Sequence, residues 1–201
     1  MTGPGASEAP LVVIKIGGGL SAVPGALDAV CSTVSELGRT QRIVVVPGGG
    51  PFADQVRAFE ASHVLTADAA HWMAILAMDQ YAHVLTERIL GAARVEDPGA
   101  IEETIGRAGV AVLAPSRWMR AADVLPHNWQ VTSDSVAAFV AGALDAERLI
   151  LVKPASVEGA TSVAATSVDP CFRSVLPAGL PCTVLPWDRV SELAQLLGAA
   201  S

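Results

Sequence analysis

The sequence predicts an α/β fold, a three-layer αβα sandwich around a mainly parallel sheet, built as one compact domain over residues 11–201. Three observations lead there. Short apolar runs rich in β-branched residues recur at Leu11–Ile16, Ile43–Val46 and Leu149–Val152, and such runs read as strands buried on both faces. Between them lie stretches with apolar residues spaced by three and four, the mark of helices that cover a sheet. Two of the runs feed directly into glycines, Gly17-Gly18-Gly19 and Gly48-Gly49-Gly50, where the backbone can turn tightly towards a helix. A chain of 201 residues suffices for one domain with a full core.

Residues 1–10 contain no basic residue and no apolar segment, so they read as a short disordered tail and not as a signal peptide. After the first strand and its glycines, Pro24 to Gly38 carries Leu27, Val30, Val34 and Leu37 at helical spacing, with Gly38 as the stop. The second strand, Ile43–Val46, runs through Pro47 into three glycines, and Pro51 stands at the first helical position, where a missing N–H costs nothing. Phe52, Val56 and Phe59 then form one apolar face. Thr66 or Asp68 caps a long helix reaching to about Gly91, with His71, Ile75, Met78, Ala82, Leu85 and Ile89 as its buried stripe. Asp79 and His83 sit one turn apart on it, placed to pair with each other. A helix from Pro98 to Ala108 leads to a strand over Gly109–Ala114.

Pro115 to Gln130 shows no periodicity and reads as a long loop, either a surface loop or a binding loop. Thr132, Ser133 and Asp134 open the next helix, which buries Val136, Phe139, Val140 and Leu144; capping is the plain role for Asp134. Leu149–Val152 is the strand that ends in Lys153. Asp169, Pro170 and Gly179 punctuate a loop-rich segment before a last strand, Cys182–Leu185, and a closing helix, Asp188–Leu197. No internal repeat or linker divides the chain.

The charge and composition exclude several classes of function. A net charge of −7 argues against a nucleic-acid partner, because a phosphate backbone calls for a basic face. Although 51% of residues are hydrophobic, no apolar run is long enough to cross a bilayer, and no membrane partner is expected. Cys31, Cys171 and Cys182 are odd in number and lack C-x-x-C spacing, so they read as reduced core thiols of a cytoplasmic protein. His63, His71, His83 and His127 form no metal-binding pattern, and no metal site is expected.

The candidate chemistry gathers at the strand ends. The chain has eleven arginines and two lysines, and both lysines, Lys15 and Lys153, close strand-like runs. Ligands of open α/β sheets bind at those carboxyl ends. A compact ammonium suits a single phosphate oxygen, whereas guanidinium favours a two-pronged grip. Bare glycine amides and two helix entrances beside such a lysine form an anion site. In the Pro115–Gln130 stretch, Arg117 and Arg120 beside Trp118 and Trp129 are suited to an anionic, ring-bearing substrate.

Together these motifs resemble the amino-acid kinase family, which includes acetylglutamate, aspartate and uridylate kinases. The resemblance rests on Lys15-x-Gly17-Gly18, on Pro47-Gly48-Gly49-Gly50, and on Thr132-Ser133-Asp134 with its alanine-rich helix and Leu149–Val152; it covers residues 11–197. No Walker A pattern occurs. Residues 47–54, His71 to Ala74 with Ala77 to Tyr81, and Trp129 to Ser135 look closest to the branch of aminomethyl-furan phosphate kinases that serves methanofuran synthesis.

The resemblance implies an ATP-dependent phosphotransferase that acts on a phosphorylated acceptor, works with Mg2+ carried on the nucleotide, and forms a homo-oligomer. Under it, Lys15 would offset the charge of the phosphoryl group in transit and Asp134 would orient the lysines. Gly17, Gly18, Gly48, Gly49 and Gly50 would donate backbone N–H groups to phosphates. Lys153, Glu158 and Gly159 would serve the nucleotide, and His71, Asp79, Arg117, Arg120 and Trp129 the acceptor. The chain departs from its relatives in three places. Gly19 stands where a serine is usual, Lys153-Pro-Ala-Ser-Val-Glu158-Gly159 replaces the usual aspartate-bearing run, and no lysine follows Lys153. Two rivals remain open: a non-catalytic anion-binding or storage protein on the same fold, and a small-carboxylate kinase.

Overall fold

A computed structural model of the protein describes residues 9–154 and 168–198, so Glu158, Gly159 and most of the expected N-terminal tail lie outside the described residues. The strands are β1 (Leu11–Ile16), β2 (Arg42–Pro47), β3 (Ala92–Val95), β4 (Val110–Leu113), β5 (Arg148–Lys153) and β6 (Cys182–Pro186). They pair in parallel throughout, in the order β3-β4-β2-β1-β5-β6. The helices are α1 (Ala26–Leu37), α2 (Gly50–Ser62), α3 (Ala67–Arg88), α4 (Pro98–Gly106), α5 (Ser116–Ala122), α6 (Ser133–Ala143), α7 (Phe172–Val175) and α8 (Leu193–Leu196). Among the described residues no helix is long and apolar enough to cross a membrane.

Side chains alternate across a strand, and the sheet sorts its core accordingly. Leu11 and Val13 of β1, with Val44, Val46, Leu149 and Leu151, face α4 and α6. Val12, Ile14 and Ile16, with Ile43, Val45, Ile150 and Val152, face α1 and the C-terminal half of α3. Each fully buried aliphatic side chain contributes roughly 1.5–3 kcal/mol. Lys15 and Lys153 continue the odd positions of β1 and β5, so the alternation points both towards the α6 side.

Helix α3 wraps the end of the sheet. Its Ile75 and Met78 pack in one core, while Tyr81, Ala82, Leu85 and Ile89 pack in the other, and all six expected stripe residues are buried. Thr66 is its N-cap, accepting from the Ala69 N–H at 3.1 Å, which settles the choice between Thr66 and Asp68.

Several expectations need correction. Pro115 to Gln130 is not one long loop, because α5 occupies its first half. Seven residues are too few to display a helical period. Strand β3 has no counterpart among the apolar runs of the sequence, because it is a four-residue edge strand with two exposed positions. Phe59 lies on the surface, stacked on His63 at 4.1 Å, and does not join the apolar face of α2. The closing helix breaks into a 3-10 turn over Trp187–Glu192 followed by α8. Among the cysteines only Cys31 is a core residue, while Cys171 and Cys182 are half-buried.

Candidate active site

Lys15 and Lys153 meet on a single carboxylate. Asp134, in the first turn of α6, lies 2.8 Å through Oδ1 from Lys15 Nζ and 2.5 Å through Oδ2 from Lys153 Nζ. Lys15 is 4% and Asp134 3% exposed. The capping role open to Asp134 falls instead to Thr132, whose hydroxyl accepts from the Asp134 N–H. Burial works to raise the pKa of Asp134, but the attraction of Lys15 and Lys153 and their hydrogen bonds prevail and hold it below its ordinary value. Burial and then the neighbouring Lys15 charge lower the pKa of Lys153, against the opposing pull of Asp134.

Asp169, read from the sequence only as loop punctuation, fixes the end of α6. Its carboxylate accepts from the N–H and hydroxyl of both Thr132 and Ser135, and from the N–H groups of Cys171 and Phe172, at 2.5–3.1 Å. One buried acid thereby ties the start of α7 to the helix that carries Asp134.

The two glycine turns interlock over the ends of β1 and β2. A side chain at Gly18 would collide with the backbone of Gly50, and one at Gly48 with the backbone of Gly18. Gly50 also holds a φ of +56°, in the left-handed region. Two of the five glycines expected to donate to phosphates are not available for it. The Gly17 N–H donates to Val152 O at 2.9 Å and the Gly48 N–H to Ile16 O at 2.8 Å, because the chain is still completing the sheet there. Gly18, Gly19, Gly49 and Gly50 do line the cavity above. At Gly19 a Cβ would lie 3.2 Å from Pro154 Cγ, so Pro154 packs closely over this turn.

That cavity, about 330 Å3, lies at the carboxyl ends of β1, β2 and β5. Lys15, Lys153, Asp134 and the glycines form its floor. Ile75, Met78, Val131 and Val136 give it apolar walls, and Asp54, Arg57, His71, Asn128 and Trp129 also line it. Arg57 was not singled out from the sequence. It pairs with Asp54 at 2.8 Å and lies over the Trp129 ring, 4.6 Å from the centroid, while Trp129 Nε1–H donates to Glu60 at 2.5 Å. Its only signal was one arginine two turns into the helix after a glycine turn, which any solvated helix face also shows.

The other expected acceptor residues separate. His71 and Trp129 line the cavity. Asp79 does not, because its carboxylate accepts from the Ser116 N–H at 3.0 Å at the start of α5, and His83 is exposed away from it. Arg117 is 69% exposed and pairs with Asp97 at 3.3 Å. Arg120 lies over the Trp72 ring, 4.3 Å from the centroid, and Trp118 packs edge-on against Phe139. The turn of α5 carries these side chains off the cavity.

The donor set fits a polyphosphate. Two ammonium groups share one carboxylate, which leaves one positive charge at the floor beside the first turn of α2, whose N–H groups lack intrahelical acceptors. It fits a metal ion only if the ion arrives on the phosphates themselves. Asp134 is already engaged by both lysines, and among the described residues no cluster of His, Cys, Asp and Glu could hold a metal.

A model described as the amino acid kinase family matches residues 10–159. The [5-(aminomethyl)furan-3-yl]methyl phosphate kinase of Methanocaldococcus jannaschii is 31% identical over 142 residues, covering 69% of this chain and 63% of that protein. The match therefore spans just under two thirds of that relative's length. In shape, the chain is similar to the uridylate kinase of Archaeoglobus fulgidus, with a TM-score of 0.64 and 15% identity over 96% of this chain and 97% of that one. It is similar also to the UMP kinase of Ureaplasma parvum, with a TM-score of 0.69 and 14% identity over 95% and 93% of the two chains. At those identities the two structures speak for the fold alone.

Proposed function

The chain belongs to the amino acid kinase family, and on that premise we propose that it is an ATP-dependent phosphotransferase. Its acceptor is a small phosphorylated, ring-bearing amine of the aminomethyl-furan phosphate class, and its product is the diphosphate. The observation that carries this reading is the pair of lysines converging on Asp134 at the floor of a cavity with apolar walls. The 31% identity to a kinase named for such an acceptor supports the choice of substrate class.

In this reading an oxygen of the acceptor's phosphate attacks the γ-phosphorus of ATP. A new P–O bond forms, the bond from the γ-phosphorus to the β,γ-bridging oxygen breaks, and ADP leaves. The attacking oxygen is already ionised at neutral pH, so no strong base is needed, which suits a floor whose carboxylate is held by two lysines. Lys15 offsets charge on the group in transit, and Lys153 takes the nucleotide's phosphates. Asp134 keeps both head groups in place before the substrates arrive. Mg2+ bound to the nucleotide supplies further charge neutralisation. Arg57, released from Asp54, grips the acceptor's own phosphate in two-pronged fashion, and Ile75, Met78, Val131 and Val136 pack on its ring.

The test is a coupled assay of ADP release with ATP, Mg2+ and the aminomethyl-furan phosphate, beside calorimetry of nucleotide binding. Acceptor-dependent ADP release supports the reading. If ATP with Mg2+ does not bind at all, the phosphotransferase fails and the anion-binding rival takes its place.

A further inference from the structure

His71 is more than nine-tenths buried and lines the cavity, yet neither of its ring nitrogens has a hydrogen-bond partner among the described residues. Its nitrogens are not among the sealed, unpaired side-chain atoms of the described residues, so they open on the cavity. Its ring stacks on His127 with centroids 4.3 Å apart and planes 16° from parallel, and Trp72 meets both rings edge-on. His127 is clamped at both nitrogens: Nδ1 lies 2.6 Å from Asp68 Oδ1 and Nε2 lies 2.8 Å from Asp123 Oδ1.

An ionised carboxylate only accepts hydrogen bonds, so a ring with a carboxylate on each nitrogen carries a proton on both. His127 is therefore the imidazolium of the pair. A second positive ring stacked at 4.3 Å is disfavoured, which leaves His71 neutral with one bare nitrogen. The electrostatics agree. Burial, then the His127 charge, lower the pKa of His71 against the pull of Asp68 and Asp123. At His127 burial opposes the charge, but the hydrogen bonds to Asp68 and Asp123 outweigh it and raise the pKa.

We propose that His71 is a specificity-determining residue, whose bare ring nitrogen accepts a hydrogen bond from the primary ammonium group of the acceptor. This rests on the phosphotransferase reading above and names the part of the acceptor that the far wall reads. The geometry of α3 supports the placement. His71, Ile75 and Met78 follow one another on α3 at steps of four and three residues, so they line one side of the cavity whose floor holds Lys15. An acceptor whose phosphate is gripped by Arg57 beside Lys15 thus extends its other end along Met78 and Ile75 towards His71. The charged groups around that end are Asp68 and Asp123 against His127 and Arg120, the last over Trp72. They sum to zero, so a cation meets no net repulsion provided His71 is neutral. Asp68, Asp123 and His127 act through His71 and are positioning residues.

The test compares the aminomethyl-furan phosphate with its 5-methyl analogue, which lacks the nitrogen, in the intact protein. We expect the amine to be preferred roughly ten- to hundredfold in kcat/KM, the range of one hydrogen bond to a charged group. His71→Phe keeps a flat ring against His127 and should remove that preference by raising the KM of the amine much more than that of the methyl analogue. His71→Gln offers a carbonyl acceptor and should restore part of the preference. Ring-nitrogen NMR of the ligand-free protein at neutral pH should show His127 protonated on both nitrogens and His71 on one. A wild-type enzyme indifferent to the amine, a preference that survives His71→Phe, an equal loss on both substrates, or a doubly protonated His71 each overturns the inference while the kinase reading stands. No turnover of either substrate overturns both.

Discussion

Lys15 and Lys153 project from the same face of two paired strands and hold opposite oxygens of one carboxylate, at 2.8 and 2.5 Å. Because β1 and β5 are parallel neighbours, two ordinary alternation patterns suffice to bring both ammonium groups to the N-terminal turn of α6. Lys15→Ala should then lose on the order of a hundredfold or more in turnover, the scale of a lost transition-state cation. Its circular dichroism should stay native, since Lys153 still pairs with Asp134. Near-normal turnover in this variant would refute the phosphotransfer mechanism.

Asp134→Asn removes the one carboxylate from the buried ammonium of Lys15 and the partly buried one of Lys153. Stranding a buried charge costs about 3–5 kcal/mol, so the urea midpoint should fall by the corresponding amount. The pH dependence has a definite sign. The folded-state pKa of Asp134 is held below its ordinary value of 3.8, so its stabilising contribution is complete above that value. As pH falls through the lower folded-state pKa, the contribution is lost. Wild type should therefore lose stability more steeply than Asp134→Asn on acidification below pH 3.8, and parallel curves would show the pair to be unimportant.

Lys153 ends β5, immediately before the segment that the family resemblance assigns to the nucleotide. Lys153→Ala is expected to raise the KM for ATP more than that for the acceptor. Steady-state kinetics with each substrate varied in turn decides it, and a shift confined to the acceptor reverses the two halves of the site.

Arg57 lines the cavity, whereas Arg117 points away from it. Losing a charge-assisted grip on the acceptor's phosphate should weaken acceptor binding by roughly ten- to hundredfold in Arg57→Ala. Arg117→Ala should leave it unchanged. Acceptor titrations by calorimetry would expose an inverted pattern at once.

What the sequence showed and what it hid follow from two physical distinctions. β1, β2 and β5 are buried on both faces, so their whole length is apolar and visible as a run, whereas the edge strand β3 shows only Val95 as a buried position. The 22 residues of α3 repeat their period long enough to be read, and the seven of α5 do not. For the site, lysine scarcity marked Lys15 and Lys153, and a helix-start pattern marked Asp134. Asp169 and Arg57 also make local contacts, with Cys171, Phe172 and Asp54, but what brings them to the site is tertiary: Thr132 and Ser135 bond Asp169 from 34 or more residues away, and Trp129 lies under Arg57. Arg117 and Asp79 show the converse: their side chains do not line the cavity, and chemistry suited to a phosphate acceptor serves a surface ion pair and a helix-start contact.

The central claim is that the acceptor brings its own phosphate, and 31P NMR of the reaction tests it most directly. With ATP and Mg2+, the aminomethyl-furan phosphate should yield the coupled pair of resonances of a diphosphate monoester as ADP accumulates. The dephosphorylated alcohol should react slower by several orders of magnitude, because an unfilled polar site penalises the incomplete substrate by roughly 10⁴–10⁵ in comparable cases. Equal turnover of acetylglutamate or aspartate, with an acyl phosphate in place of the diphosphate, would contradict the account.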